Sequence, residues 1–530
     1  MSDWLKQTIG RLQPLETAVN RAWWQAAVTG SAEEYARLEA LRNQYDELFR
    51  DPELTKQLEG VAAPSEDPAR ARATQLLRLA ALPRQVDRRL TERMNRLATE
   101  IERDFATYRP SFEGGEASKN DLEEILARET DGARLRAAWE ALKTDGPLVA
   151  PRLRELVELR NEAARTVGHQ DFWHMKLAMD EQEPSAIGAL FDRLEALTRE
   201  PFQLVKEEID ERLAERLGIA PGDLQPWHYQ NPFFQETPAV FGVDLDTQYE
   251  EVDILDAARR FFRGVGLPVE EILGRSSLYE APGKDPHAFC TNIDREGDIR
   301  ILLNLRPTER WMGTTLHELG HAVYDAGIDP SLPWILRQAA HTVTTEAIAM
   351  LFGRLSRSAD WMAGMGIVDP ATADELRGPA SRELRANMLV FSRWAQVMTR
   401  FERGLYADPG QDLDELWWSL VERYQLVARP DRPREAADWA TKIHVVMAPV
   451  YYHNYLLGEC FASQLDAGLR SEVLGGEPVW CGNPGVGEWF TERVFRPGAR
   501  WHYDELARQA TGSAVAPEAF AEQFLAEVSP

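Results

Sequence analysis

His317, Glu318 and His321 fall within the run Thr-Leu-His-Glu-Leu-Gly-His-Ala-Val-Tyr at residues 315–324. Histidines four apart lie one above the other on an α-helix, so both rings can turn a nitrogen toward one tetrahedral metal ion. Glu318 then stands beside that ion, where a carboxylate can take the proton of an attacking water and later carry it to a leaving amine. This division of labour is that of a zinc-dependent peptidase. Chance is a weak competitor: with ten His in 530 residues, such a match arises in roughly one of fifty chains of this composition.

A catalytic zinc takes three protein ligands and keeps one position open. Residues 341–350 read as a second helix, His-Thr-Val-Thr-Thr-Glu-Ala-Ile-Ala-Met, with Glu346 its one carboxylate. Burying a lone carboxylate on an apolar face is costly, and a metal offsets that cost, so Glu346 is the expected third ligand. His341 competes for the place, or else caps the helix or supports a ligand from behind. A third constellation follows at Lys442-Ile443-His444 and Pro449-Val450-Tyr451-Tyr452-His453-Asn454-Tyr455. Phenols and imidazoles in a dry cleft can donate to the oxyanion that develops during peptide hydrolysis. Tyr452 and Tyr455 are three apart and share a face if the stretch is helical.

The elements that must position these groups are mainly helices. Leu, Ala, Glu and Arg recur with helical period over residues 5–108 and 121–217, with breaks at 63–68, 110–115 and 226–234. One strand pair stands out, residues 287–293 and 299–305 around a turn at 294–298, directly before the metal helix. An exposed edge there would accept an extended peptide as an added strand. The expected fold is a mainly α, two-lobed helical ellipsoid with a deep central cleft and a small antiparallel sheet beside the zinc helix. Residues 1–130 form an N-terminal helical lid region, and residues 131–530 the catalytic region with two subdomains.

Composition sets the outer limits. A 44% hydrophobic content in 530 residues suits a soluble globular chain with more than one ordinary core. Sixty Lys and Arg against 86 Asp and Glu leave a net charge of −26, which argues against nucleic acid and anionic membrane as partners. The opening Met1-Ser2-Asp3-Trp4-Leu5-Lys6-Gln7 begins an amphipathic helix rather than a secretory signal, so a cytoplasmic location is expected. Cys290, Cys460 and Cys481 are too few and too far apart for a disulfide framework or a cysteine metal cluster.

On these motifs the chain resembles the angiotensin-converting enzyme family of zinc peptidyl-dipeptidases. His287-Ala288 stands before His317 as the family's substrate-binding His-Ala strand does, and Thr345-Glu346-Ala347-Ile348 is similar to its His-Glu-Ala-Ile ligand helix. Glu415-Leu416-Trp417-Trp418-Ser419-Leu420 with Arg423-Tyr424-Gln425 resembles a Glu-Trp-Trp-Ser-Leu…Lys-Tyr-Gln run. Lys442-Ile443-His444 resembles Lys-Phe-His, and Tyr452-His453-Asn454-Tyr455 resembles Tyr-Ile-Arg-Tyr with one residue more in between. Similarity to the sister thimet and oligoendopeptidase group accounts equally well for residues 342–345.

The resemblance implies zinc on His317, His321 and Glu346, with Glu318 as general base and then acid. It implies Tyr455 and His444 at the oxyanion or scissile carbonyl, and His287 with the Ala288 backbone along the substrate strand. It further implies Lys442 and Tyr452 at the substrate's C-terminal carboxylate, a grip the family shares with a glutamine, for which Gln230 is the candidate. Oligopeptides are then the substrates, cut two residues from the C-terminus; endopeptidase or single-residue carboxypeptidase action, and an inactive peptide-binding homologue, are the alternatives. Three departures stand out. Met350 occupies the place of an aspartate that orients a ligand histidine, and Val421 and Asn454 replace the chloride-binding arginines, so chloride activation is not expected.

Overall fold

The computed structural model describes residues 3–60, 67–475 and 480–525. The expected helical segments form, and the protein is mainly α with two small antiparallel sheets. α1 (Asp3–Thr29) turns at Gly30, whose φ of +65° a side chain would resist, into α2 (Ala32–Phe49). Ser31 caps α2 by accepting from the Glu34 amide. α3 (Pro184–Leu217) begins with proline in its first turn and stops at Gly218, which is left-handed with φ +66°.

The expected breaks take three forms. Of residues 63–68, those at 63–66 lie outside the described residues, and Asp67 caps the helix that follows. At 110–115 the chain makes a tight hairpin, β1 (Ser111–Phe112) against β2 (Gly115–Glu116), through positive φ at Glu113 and Gly114. Residues 226–234 form short turns with positive φ at Gln230 and Phe234.

The second sheet is the expected strand pair, shortened at both outer ends. β3 (Phe289–Asn292) runs antiparallel to β4 (Ile299–Leu302), with Phe289 opposite Leu302 and Asn292 opposite Ile299. Beyond Leu302 the chain leaves β3: Leu303 N–H donates to Ser277 and Leu305 N–H to Leu278, so β4 is covered on its far side. Trp24 and Ala27 of α1 bury Ile293 and Leu302 of this hairpin, and Trp23 stacks on Phe289 at 4.4 Å.

α4 (Glu309–Gly327) follows the hairpin and is capped by Thr308. α5 (Thr342–Gly353) is capped by His341, whose Nδ1 accepts from the Val343 amide at 3.0 Å. Of the roles open to His341, capping is the one observed. α6 (Pro370–Ala407), α7 (Leu413–Gln425) and α8 (Tyr452–Leu469) complete the frame. One contiguous core extends from Leu5 of α1 through Leu316 and Leu319 of α4 to Phe524. Among the described residues no helix is long and apolar enough to cross a membrane.

Candidate metal centre

α4 and α5 cross closely because glycine stands at their contact. A Cβ on Gly320 would lie 2.9 Å from the Ala349 Cα. The approach brings the Glu346 carboxylate over the face that carries His317 and His321. Glu346 Oε2 lies 3.8 Å from His317 Nε2 and 4.0 Å from His321 Nε2, and the three ligand atoms are within 4.8 Å of one another. Among the described residues no other set of three His, Cys, Asp or Glu groups converges in this way. Tetrahedral zinc with bonds near 2.0–2.1 Å needs ligand atoms about 3.3 Å apart, so small side-chain shifts suffice.

The electrostatics suit a cation. Burial pushes His317 down to about 4 and His321 well below the usual imidazole range, so both rings are neutral and offer a lone pair. Burial also pushes Glu346 up to about 7, against the Tyr451 hydroxyl, which acts in the other direction. Glu318 is raised to about 8, first by burial and then by the charge of Glu346, while the Cys290 backbone N–H on β3 opposes the rise. Two carboxyls raised in this way resist ionising side by side beside neutral imidazoles, and a cation between them would offset that cost. A divalent metal ion fits that donor set.

The outer contacts are hydroxyls. Thr345 Oγ1 is 2.7 Å from His321 Nδ1. Tyr451 Oη donates toward Glu346 Oε1 at 3.4 Å and lies 2.9 Å from Thr342 Oγ1. Met350 makes no such contact; its sulfur packs at Gly458 of α8. Spacing and residue type alone do not mark Thr345 and Tyr451. Their signal is position alone, next to Glu346 and within the tyrosine cluster.

The remaining expected site residues divide into two groups. His287 is exposed, with Nδ1 3.1 Å from Asp285 Oδ1, and it lines with Ala288, His317 and Glu318 a cavity of about 510 Å³. Tyr455 lies 4.9 Å from Tyr451 and 5.6 Å from Tyr452, ring to ring, and burial and the Glu346 charge raise its pKa. His444 sits 5.1 Å from Tyr452; burial and then Lys442 push it down to about 4. Lys442 is buried against Phe233, Trp394 and Tyr452, which pushes it down to about 8, and donates to Gln235 Oε1 at 2.6 Å.

Gln235, not Gln230, is therefore the glutamine beside Lys442. Gln230 spends its amide on the turn, donating to Ala127 O and accepting from Ala239 N–H. Asn454 is buried and accepts from Gln182 at 2.7 Å, while Gln182 Oε1 meets His453 Nε2 at 2.6 Å. Val421 is buried beside Trp417 and Trp418.

A family model described as angiotensin-converting enzyme matches residues 1–473. The angiotensin-converting enzyme of Rattus norvegicus is 23% identical over 402 residues, 69% of this chain and 30% of that protein. That of Mus musculus is 22% identical over 397 residues, with the same two shares. That of Mesocricetus auratus is 23% identical over 366 residues, 63% of this chain and 28% of that protein. The match thus spans less than a third of the length of these relatives.

Proposed function

The chain belongs to the angiotensin-converting enzyme family, and from that premise we propose that it is a zinc-dependent peptidase that removes dipeptides from the C-termini of oligopeptides. The observation that carries this reading is the convergence of His317, His321 and Glu346 with Glu318 alongside. Zinc held by His317, His321 and Glu346 would supply a Lewis acid able to polarise a carbonyl and acidify water.

The protein's own residues do the rest. Glu318 takes the proton of the attacking water and delivers it to the leaving amine, and the Cys290 N–H keeps its carboxylate oriented between the two acts. Tyr455 and His444 donate to the oxyanion. The Ala288 backbone and His287 hold the peptide along the outer edge of β3, where main-chain hydrogen bonds accept any sequence. Lys442, with Tyr452 and Gln235, meets the terminal carboxylate; a buried ammonium already held by an amide oxygen needs little reorganisation to bind an anion. The helices before residue 130 act as a lid that admits a flexible chain and excludes folded protein.

Mass spectrometry of the products from a decapeptide with free ends, beside its C-amidated form, tests the proposal. Stepwise loss of two residues from the acid, with the amide cut far more slowly, is the expected outcome. Equal rates with cuts far from either end would assign endopeptidase action instead.

A further inference from the structure

The cavity beside His317 and Glu318 holds a cation that the reaction does not use. α4 carries Arg310, Thr314 and His317 on one face, so Arg310 lines the cavity two turns below the metal cluster. Of the other charged groups in its wall, Glu318 belongs to the metal cluster, and Glu309, Arg357 and Glu459 are held in pairs. Glu309 accepts from Ser356 at 2.6 Å and from Arg357 at 3.2 Å through each carboxylate oxygen. Arg357 also reaches Glu383, and Glu459 pairs with Arg354. Among the described residues no carboxylate pairs with Arg310, whose side chain is exposed to the cavity. In a chain with a net charge of −26, an unpaired guanidinium at this position gives an anion a local cationic contact.

We infer that Arg310 makes this cavity a subsite for an acidic side chain of the peptide, so that substrates carrying Asp or Glu about two to three residues from the cleaved bond are selected. The reach follows from geometry. Seven helical residues separate Arg310 from His317, about 10 Å of rise, which an extended peptide on the Ala288 edge covers in about three residues. Planar guanidinium recognition of a carboxylate is bidentate, which distinguishes Glu from its neutral isostere Gln. The inference rests on the peptidase reading and adds a substrate class to it.

The test scans a single Glu, Gln or Lys through each position of a free-ended decapeptide and compares kcat/KM for the zinc-loaded wild type, Arg310→Gln and Arg310→Glu. At one or two adjacent positions the wild type is expected to favour Glu over Gln by about five- to tenfold. Arg310→Gln should abolish that ratio, and Arg310→Glu should invert it toward Lys. A Glu-to-Gln ratio that stays the same in all three proteins overturns the subsite, as does a change spread evenly over every position, which would report only overall charge. The same ratios are to be measured as binding affinities in the Glu318→Gln background. If the wild type cleaves nothing while Glu318→Gln still binds Glu peptides through Arg310, the peptidase reading fails and the subsite stands.

Discussion

Thr345 hands His321 a hydroxyl where the family pattern supplies a carboxylate four residues beyond the ligand glutamate. Thr345 Oγ1, 2.7 Å from His321 Nδ1, can accept from Nδ1–H, and in that tautomer the Nε2 lone pair is left for a metal. A neutral partner makes the imidazole less basic than a carboxylate would, so this single contact carries much of the orientation. Thr345→Val should weaken zinc binding by about tenfold or more, and Thr345→Ser should restore it; chelator competition on the apoprotein measures both. Unchanged affinity in the valine variant would make Thr345 incidental. Lys442 yields a pH prediction at the same scale. Burial lowers its pKa to about 8, against the opposing charges of Glu236 and Glu123, with His444 and Tyr452 also facing it. A lowered lysine binds anions fully below that value and loses its charge as pH rises through it. The advantage of free-acid over amidated peptide in kcat/KM should therefore fall by about tenfold per unit above pH 8, whereas a flat ratio across that range would remove Lys442 from the carboxylate site.

At the scale of elements, the crossing of α4 and α5 is what turns three separated residues into one ligand set. Gly320→Ala would gain helix propensity of about 1 kcal/mol, but its methyl meets the backbone of Ala349 at 2.9 Å, and only separation of the helices relieves that. We expect a net loss of about 1–3 kcal/mol in stability together with weaker zinc binding. Gly10→Ala in α1, where nothing lies within 4 Å, should be neutral or stabilising. Thermal unfolding with and without zinc separates the two cases, and a Gly320→Ala protein that binds zinc normally would show that the crossing has slack. The same elements explain what could be read in advance. Helical period, the four-residue spacing of His317 and His321 and the hairpin before them are local patterns, and each is present in the structure. Contacts made by tertiary crossing left no such pattern: Thr345 on His321, Tyr451 on Glu346, the Cys290 amide on Glu318. Residue type does not mark Gln235, because the turn that brings it to Lys442 runs through positive φ values at Gln230 and Phe234 that the sequence does not spell out.

For the whole molecule, the decisive joint is between α1 and the hairpin that the substrate would follow. Arg295, in the turn between β3 and β4, pairs with Glu16 of α1 at 2.6 Å, lies over Trp334 at 4.4 Å and donates to Ile335 O. Glu16 also accepts from Tyr45 of α2 at 3.0 Å, and Asn20 donates to the carbonyls of Asn292 and Ile293. The proposed lid is thereby fastened to the strand rather than to α4. Both partners of the ion pair are mostly buried, so removing one leaves an uncompensated charge, at a cost of about 3 kcal/mol, whereas removing both costs much less. In a double-mutant cycle, Glu16→Gln and Arg295→Met should accordingly show a coupling above about 1 kcal/mol. Hydrogen exchange should place the effect: either single variant should accelerate amides of α1 and β3 while α4 keeps its protection, because the joint opens locally before the shared core does. Acceleration spread evenly over the chain would mean that the first helices are part of one cooperative unit and cannot open as a lid.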